Sequence, residues 1–330
     1  KMDEQRYISI GDGKAYLVSH DPLDEFDAVL RDMILDDTIP EFDTAEKITF
    51  SGSENYTILR DENGKSICAD DIYFTESQPL DTDNVDTLLS AIKSLSLTDY
   101  VSYNVSEEEL KAFGLDNPDL TIEMEYSTDG EDDSSNKGTL LLHISQNTEE
   151  KAAYEEAVRE SSDDLPDVTC YVRVGQSQIV YEISQSDYDE LTAVSYDTLR
   201  HQKLFTADFD TVTSIDVALN GENYTFTYAV SEDEEGEWTY NGEEFDISNL
   251  KTALRAVSAS EFMDDRPSGQ EEISLTVHLD NEDFPTFTLT LYRFDGTNCI
   301  AQVDGVTVAL VPRSETVDLI EAVNELTLGS

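Results

Sequence analysis

Histidine and cysteine are the residues through which this chain could bind a transition metal or form a covalent intermediate, and it has few of either. The four histidines, His20, His143, His201 and His278, lie far apart, and none has a second histidine or a cysteine at ligand spacing. Zinc centres of the usual kind and an HExxH helix need such pairs on one turn, so neither is encoded locally. A lone imidazole without an orienting partner in sequence reads as a structural or surface group, and His143 and His278 fall on the polar sides of alternating strands. Cys68, Cys170 and Cys299 form no CxxC. Cys170 with Val172 and Val174, and Cys299 with Ala301 and Val303, share one strand face, which predicts buried free thiols. A GxSxG elbow and glycine-rich phosphate loops are missing, which excludes nucleotide hydrolysis by this chain.

Carboxylates are the opposite case. With 73 Asp and Glu against 20 Lys and Arg, chance pairs abound, so none can be singled out as the acid and base of a glycoside hydrolase. The densest cluster, Asp129, Glu131, Asp132 and Asp133, has Ser134 where a calcium loop needs its turning glycine, and it reads as a solvated loop. Trp238 and Tyr240, two apart on one strand face, would offer a platform to a sugar, but such a pair in a half-buried sheet reads as core. Catalytic, cofactor-binding and metal residues are therefore all assigned as none. The formal net charge of -53 repels phosphate backbones and anionic headgroups, which removes nucleic acid from the list of partners. No apolar run reaches the roughly 18 residues of a spanning helix. Low cysteine use suits the cytosol or an exported protein that does without disulfides.

The elements around these residues are repeated. Tyr171 to Leu191 is a hairpin and helix start, with relatives at Tyr7 to Phe26 and Cys299 to Leu319. Ile48-Thr49-Phe50 and Asn55-Tyr56-Thr57 return as Ile215-Asp216-Val217 and Asn223-Tyr224-Thr225, and hairpins with Asn63-Gly64 and Asn241-Gly242 follow. Helices come next, with Asp83 and Ser248 placed as N-caps and Leu88, Leu89, Ile92 and Leu95 on one face. Leu120, Ile122, Met124 and Tyr126 alternate with polar residues, as do Ile273, Leu275, Val277 and Leu279; period two with one wet side predicts antiparallel sheet. The partner strands are TLLLHI from Thr139 and TLTLYR from Thr288, which sets His143 against Tyr292.

The expected fold is α+β, with tandem diverged modules of antiparallel β-sheet, each covered by one or two helices. Residues 1–40 are expected as the closing hairpin and helix (Leu23 to Leu35) of a truncated preceding module. Residues 41–203 form module one, with insertions at 103–118, 127–138 and 146–167, and residues 204–330 form module two. The segment Leu199 to Phe209 joins them, and a helix from Thr316 to Leu326 closes the second sheet.

At Phe113-Gly114-Leu115-Asp116-Asn117-Pro118 a Gly-Leu-Asp-x-Pro segment stands between a helix and an alternating strand. Tyr171-Val172-Arg173-Val174-Gly175 and Ile179-Val180-Tyr181 follow downstream. With Tyr7 to Gly11, Ala15 to Val18 and Gly236-Glu237-Trp238, these residues resemble the bacterial domain-of-unknown-function family 4340, itself similar to part of the auxiliary component of gliding-motility ABC exporters. The resemblance covers most of the chain. Module two departs from it with Asp265 to Gly269 in place of the Gly-Leu-Asp-x-Pro motif, and module one with Ser66-Ile67-Cys68 where the tryptophan is expected. It implies a non-catalytic extracytoplasmic protein, anchored to the cytoplasmic membrane by a segment absent here, with envelope proteins such as ABC exporter subunits as partners and no cofactor. The chain is accordingly expected to be a trimmed ectodomain. A surface glycan- or cation-binding module and a carboxylate-pair hydrolase are the rival readings.

Overall fold

The computed structural model describes residues 6–9, 11–18, 33–76, 78–129, 135–161, 164–231 and 234–328. Among them the chain is an α+β fold containing two antiparallel sheets of nine strands each. A separate hairpin, β1 (Arg6–Ile8) with β2 (Tyr16–Val18), sets Tyr7 opposite Leu17. The expected helix from Leu23 to Leu35 lies outside the described residues except for its last three, of which Met33 and Leu35 are exposed.

The first large sheet takes β3 (Thr44–Ser51), β4 (Asn55–Arg60), β5 (Tyr73–Thr75), β6 (Gln78–Pro79), β7 (Tyr100–Ser102), β8 (Leu120–Asp129), β9 (Ser135–Gln146), β10 (Cys170–Val174) and β11 (Val180–Ile183). Its order is β6-β5-β4-β3-β8-β9-β10-β11-β7. The second takes β12 (Val212–Leu219), β13 (Glu222–Ser231), β14 (Glu234–Tyr240), β15 (Glu243–Glu244), β16 (Glu261–Phe262), β17 (Glu271–Leu279), β18 (Thr286–Arg293), β19 (Asn298–Val303) and β20 (Val306–Pro312). Its order, β15-β14-β13-β12-β17-β18-β19-β20-β16, is the first with every label raised by nine. The described helices are α1 (Thr82–Ser94), α2 (Glu107–Ala112), α3 (Thr148–Arg159), α4 (Gln185–Thr192), α5 (Tyr196–Leu199), α6 (Ser248–Ala256) and α7 (Arg313–Leu328).

The correspondence extends to cross-strand register. β3 and β4 set Ile48 opposite Ile58, Thr49 opposite Thr57 and Phe50 opposite Tyr56. β12 and β13 set Ile215 opposite Phe226, Asp216 opposite Thr225 and Val217 opposite Tyr224. The repeated tripeptides thus face one another identically in the two sheets, with Ile48, Ile58, Ile215 and Phe226 all fully buried. Alternation explains the burial: Leu120, Ile122 and Met124 of β8 and Ile273, Leu275, Val277 and Leu279 of β17 point inward while their neighbours reach water.

Three local expectations are corrected. Asn241-Gly242, both at positive φ, turns β14 into β15, and its counterpart in the first sheet is the β5–β6 turn at Glu76; Asn63-Gly64 instead lies in the longer β4–β5 loop. The first helix is capped two residues before Asp83, by Asp81, whose carboxylate accepts the Asp83 N–H at 3.1 Å, and α6 begins without a side-chain cap from Ser248. The β9–β10 and β18–β19 registers place His143 opposite Arg173 and Thr290 opposite Gln302, so His143 corresponds to Thr290 and not to Tyr292. A slip of two residues leaves every side chain on the same face, so hydrophobic pattern alone is blind to it.

The chain falls into two compact units, one of residues 1–41, 93–123 and 139–189, the other of residues 42–92, 124–138 and 190–330. In the second unit, Leu250 and Leu254 of α6 and Leu319 and Val323 of α7 join the inward face of β12, β13, β17 and β18 in one core, against which Trp238 and Tyr240 are partly buried. In the first unit, Phe113, Leu115, Tyr171 and Val180 form a smaller cluster, with Phe113 and Tyr171 ring centroids 4.6 Å apart.

Gly114 makes that cluster reachable. Its φ of +73° is open to glycine, and a Cβ there would stand 2.8 Å from the Gln146 carbonyl oxygen and closer still to the Ser145 hydroxyl. Gly114→Ala is therefore expected to cost about 1–3 kcal/mol from backbone strain, before the clash is counted. Urea denaturation of the two chains side by side checks this, and an unchanged midpoint would contradict it.

Candidate functional site

A loop that the second sheet lacks positions a group of His, Cys and Asp side chains close enough to act together. Residues 61–72 separate β4 from β5, whereas only two residues separate β13 from β14. The loop is pinned at both ends: the Asp61 N–H donates to the Ile72 carbonyl at 2.8 Å and the Ile72 N–H donates to the Thr82 hydroxyl at 3.1 Å. Thr82 in turn donates to the Asp70 carbonyl at 3.0 Å. Ile67 rests on the core of the second sheet. On the other side, the Leu199 carbonyl accepts the Asp81 N–H at 3.0 Å and the Arg200 carbonyl accepts the Asn84 amide at 3.3 Å, which carries His201 to the loop. The Arg200 guanidinium, 3.9 Å from the Phe262 ring centroid, fixes the same segment by a cation–π contact.

Five side chains meet there. His201 Nε2 lies 2.9 and 3.0 Å from the two oxygens of Asp71, and Nδ1 lies 3.3 Å from Asp81 Oδ2. The Ser66 hydroxyl donates to Asp71 Oδ2 at 2.6 Å. The Asp71 side chain is 1% exposed and the His201 side chain 20%. The ligand atoms of Cys68, Asp71 and His201 all fall within 4.8 Å of one another. Burial alone would lower the His201 pKa, but its hydrogen bond to Asp71 and the charges of Asp71 and Asp81 outweigh that and raise it. Burial, with the nearby Asp71 and Asp70 carboxylates, pushes the Cys68 thiol up to about 11. A thiol held protonated is a poor nucleophile.

The reading of His201 as a histidine without an orienting partner is thus corrected: it has two carboxylates, 130 and 120 residues earlier in the chain. No local spacing rule finds such a group, because the loop and the segment at 199–201 meet only after folding. His278 also has a partner, Asp216 Oδ2 at 2.8 Å from Nε2 across β12 and β17. Cys170 and Cys299 are buried free thiols, and Cys68 is half-buried. His20, Glu131, Asp132, Asp133 and Ser134 lie outside the described residues.

In the first unit, Asp119 accepts from Lys151 Nζ at 2.7 Å and from the Tyr188 hydroxyl at 2.9 Å beside a cleft walled by Gln146, Tyr154 and Gln185. His143, 3.2 Å from the Thr121 hydroxyl, has its pKa lowered by burial and then by Arg173. The unfolded chain therefore takes up a proton here before the folded chain does, and stability is lost as pH falls below about 6.5 toward the lower folded value. His143→Gln is expected to flatten that part of the pH profile. Urea midpoints for both chains between neutral pH and pH 5 check it, and equal slopes would contradict it.

The profile of the family described as Domain of unknown function (DUF4340) matches residues 72–276. No curated protein and no solved structure gives a match. The matched span runs from the start of β5 into β17, through both sheets, and leaves Cys68 and Asp71 just outside it. Because it takes in well over half of the sequence, the chain belongs to the DUF4340 family.

Proposed function

We propose that this chain is the extracytoplasmic part of a non-catalytic accessory protein, tethered to the bacterial cytoplasmic membrane in its full form and acting by contact with other envelope proteins, among them subunits of an ABC-type exporter. The observation that carries this reading is where the residues of the family resemblance go: Phe113, Leu115, Tyr171 and Val180 are spent on one apolar cluster. What those motif residues encode is a scaffold, and a duplicated scaffold with a uniformly acidic balance is suited to presenting surface to protein partners. The class of partner rests on the resemblance, read from the sequence, to the auxiliary component of gliding-motility exporters. Crosslinking the full-length tethered protein in native membranes tests the reading. Capture of exporter subunits, weakened as salt screens the acidic surface, is expected. Crosslinks that contain no transporter subunit overturn it.

A further inference from the structure

We propose that Cys68, Asp71 and His201 bind one divalent transition-metal ion of zinc-like size and softness, with Asp81 as the residue that positions the imidazole. This site goes beyond the accessory role and does not depend on it.

The donor set selects the metal class. Calcium and magnesium take oxygen ligands, whereas a thiolate and an imidazole beside one carboxylate suit a borderline-soft ion such as zinc. Three protein ligands with no fourth among the described residues leave a position for water or another donor.

The geometry is close to what such an ion needs. Metal bonds of about 2.0–2.3 Å in a tetrahedral centre put ligand atoms roughly 3.5 Å apart. The Nε2 to Asp71 separations of 2.9 and 3.0 Å sit just inside that, and the widest spacing in the group, at most 4.8 Å, lies about 1 Å outside it. Cys68 is half-buried, at the middle of a loop rather than on a strand, so it is the ligand free to close that gap.

The surroundings are those of a metal-ligating histidine. Such a residue donates its second ring N–H to a carboxylate, which fixes the tautomer and aims the other nitrogen at the ion. Asp81 stands 3.3 Å from Nδ1, and its other oxygen is held by the N-terminus of α1. The Asp71 carboxylate is excluded from water among three groups, the Ser66 hydroxyl, the His201 imidazole and the Cys68 thiol, two of which are proposed ligands. A divalent ion between Nε2 and Asp71 replaces the proton there, and the thiol releases a second proton to solvent.

Cobalt(II) titration of the whole chain, first stripped with a chelator, is the test. One equivalent is expected to give thiolate-to-cobalt charge-transfer absorption in the near ultraviolet, and zinc is expected to abolish it by displacement. Cys68→Ser is expected to remove the absorption, and Asp81→Asn to weaken cobalt binding about 10–100-fold while keeping it. The general acidic surface also attracts cations, but without thiolate absorption. Absence of the band, or a band that persists in Cys68→Ser, overturns the proposal. Should Cys68→Ser fail to fold, alkylation of Cys68 in the unaltered chain decides: one equivalent of zinc is expected to slow it, and an unchanged rate overturns the site.

Discussion

Phe226→Ala is expected to lower the unfolding free energy of the second sheet by about 3–5 kcal/mol, the cost of emptying a fully buried aromatic position. The ring is 0% exposed, faces Ile215 across β12 and β13, and lies with its centroid 5.4 Å from those of Tyr240 and Phe245. Those two contacts add to the loss beyond the area removed. Phe226→Leu keeps most of the volume and is expected to cost under about 1.5 kcal/mol. Trp238 is the single tryptophan and packs against the same core, so its fluorescence during urea unfolding reports on this sheet selectively. A Phe226→Ala chain with an unshifted tryptophan transition would mean that the core is not organised around β13. The same register gives Ile58 the equivalent place in the first sheet, and Ile58→Ala is expected to be costly for the same reason, by about 2–5 kcal/mol.

His201→Ala, measured in the presence of a chelator, is expected to cost about 3–5 kcal/mol near neutral pH, because it strands a carboxylate that is almost wholly out of water. Asp71 keeps Ser66 as a donor, but a hydroxyl does not neutralise its charge. Adding Asp71→Asn to His201→Ala is expected to recover part of the loss, which a double-mutant cycle resolves. The pH dependence differs between the two chains. With His201 present and its pKa raised, the stabilisation is complete below about 6.5 and is lost as pH rises through the folded value. With His201 removed, that contribution is absent, so the variant lacks this part of the pH dependence. Equal pH slopes for the two chains would show that Asp71 and His201 are not coupled.

The parts of this structure that sequence reveals are those governed by local period. Alternation in β8 and β17 announces antiparallel sheet with one covered face, and the copied tripeptides at Ile48 and Asn55, and at Ile215 and Asn223, mark strands that turn out to pair in the same register. What sequence hides follows from the same physics. A shift of two residues conserves facing, so TLLLHI and TLTLYR look equally well aligned when His143 is set against Tyr292 or Thr290. Asn63-Gly64 has the composition of a two-residue turn but occupies a loop whose path is dictated by contacts with Thr82 and the second core. Asp81 loses to Asp83 as a predicted cap because both are good acceptors and only the fold chooses between them. The Cys68, Asp71 and His201 group is the extreme case, since its members come from a loop and a connecting segment with no shared period.

The strands at the margins of both large sheets are short: β6, β15 and β16 have two residues each and β7 has three, and they carry Pro79, Glu243, Glu244 and Glu261. A row of unpaired amides that brief, interrupted in β6, β15 and β16 by proline or by negative charge and in β7 limited to three residues, is a poor template for another chain to zip onto. Duplicating a sheet ordinarily doubles the risk that copies will fuse along their borders. Here each copy ends in its own stop, so tandem multiplication of this unit is compatible with chains that stay separate from their neighbours even when crowded on one surface.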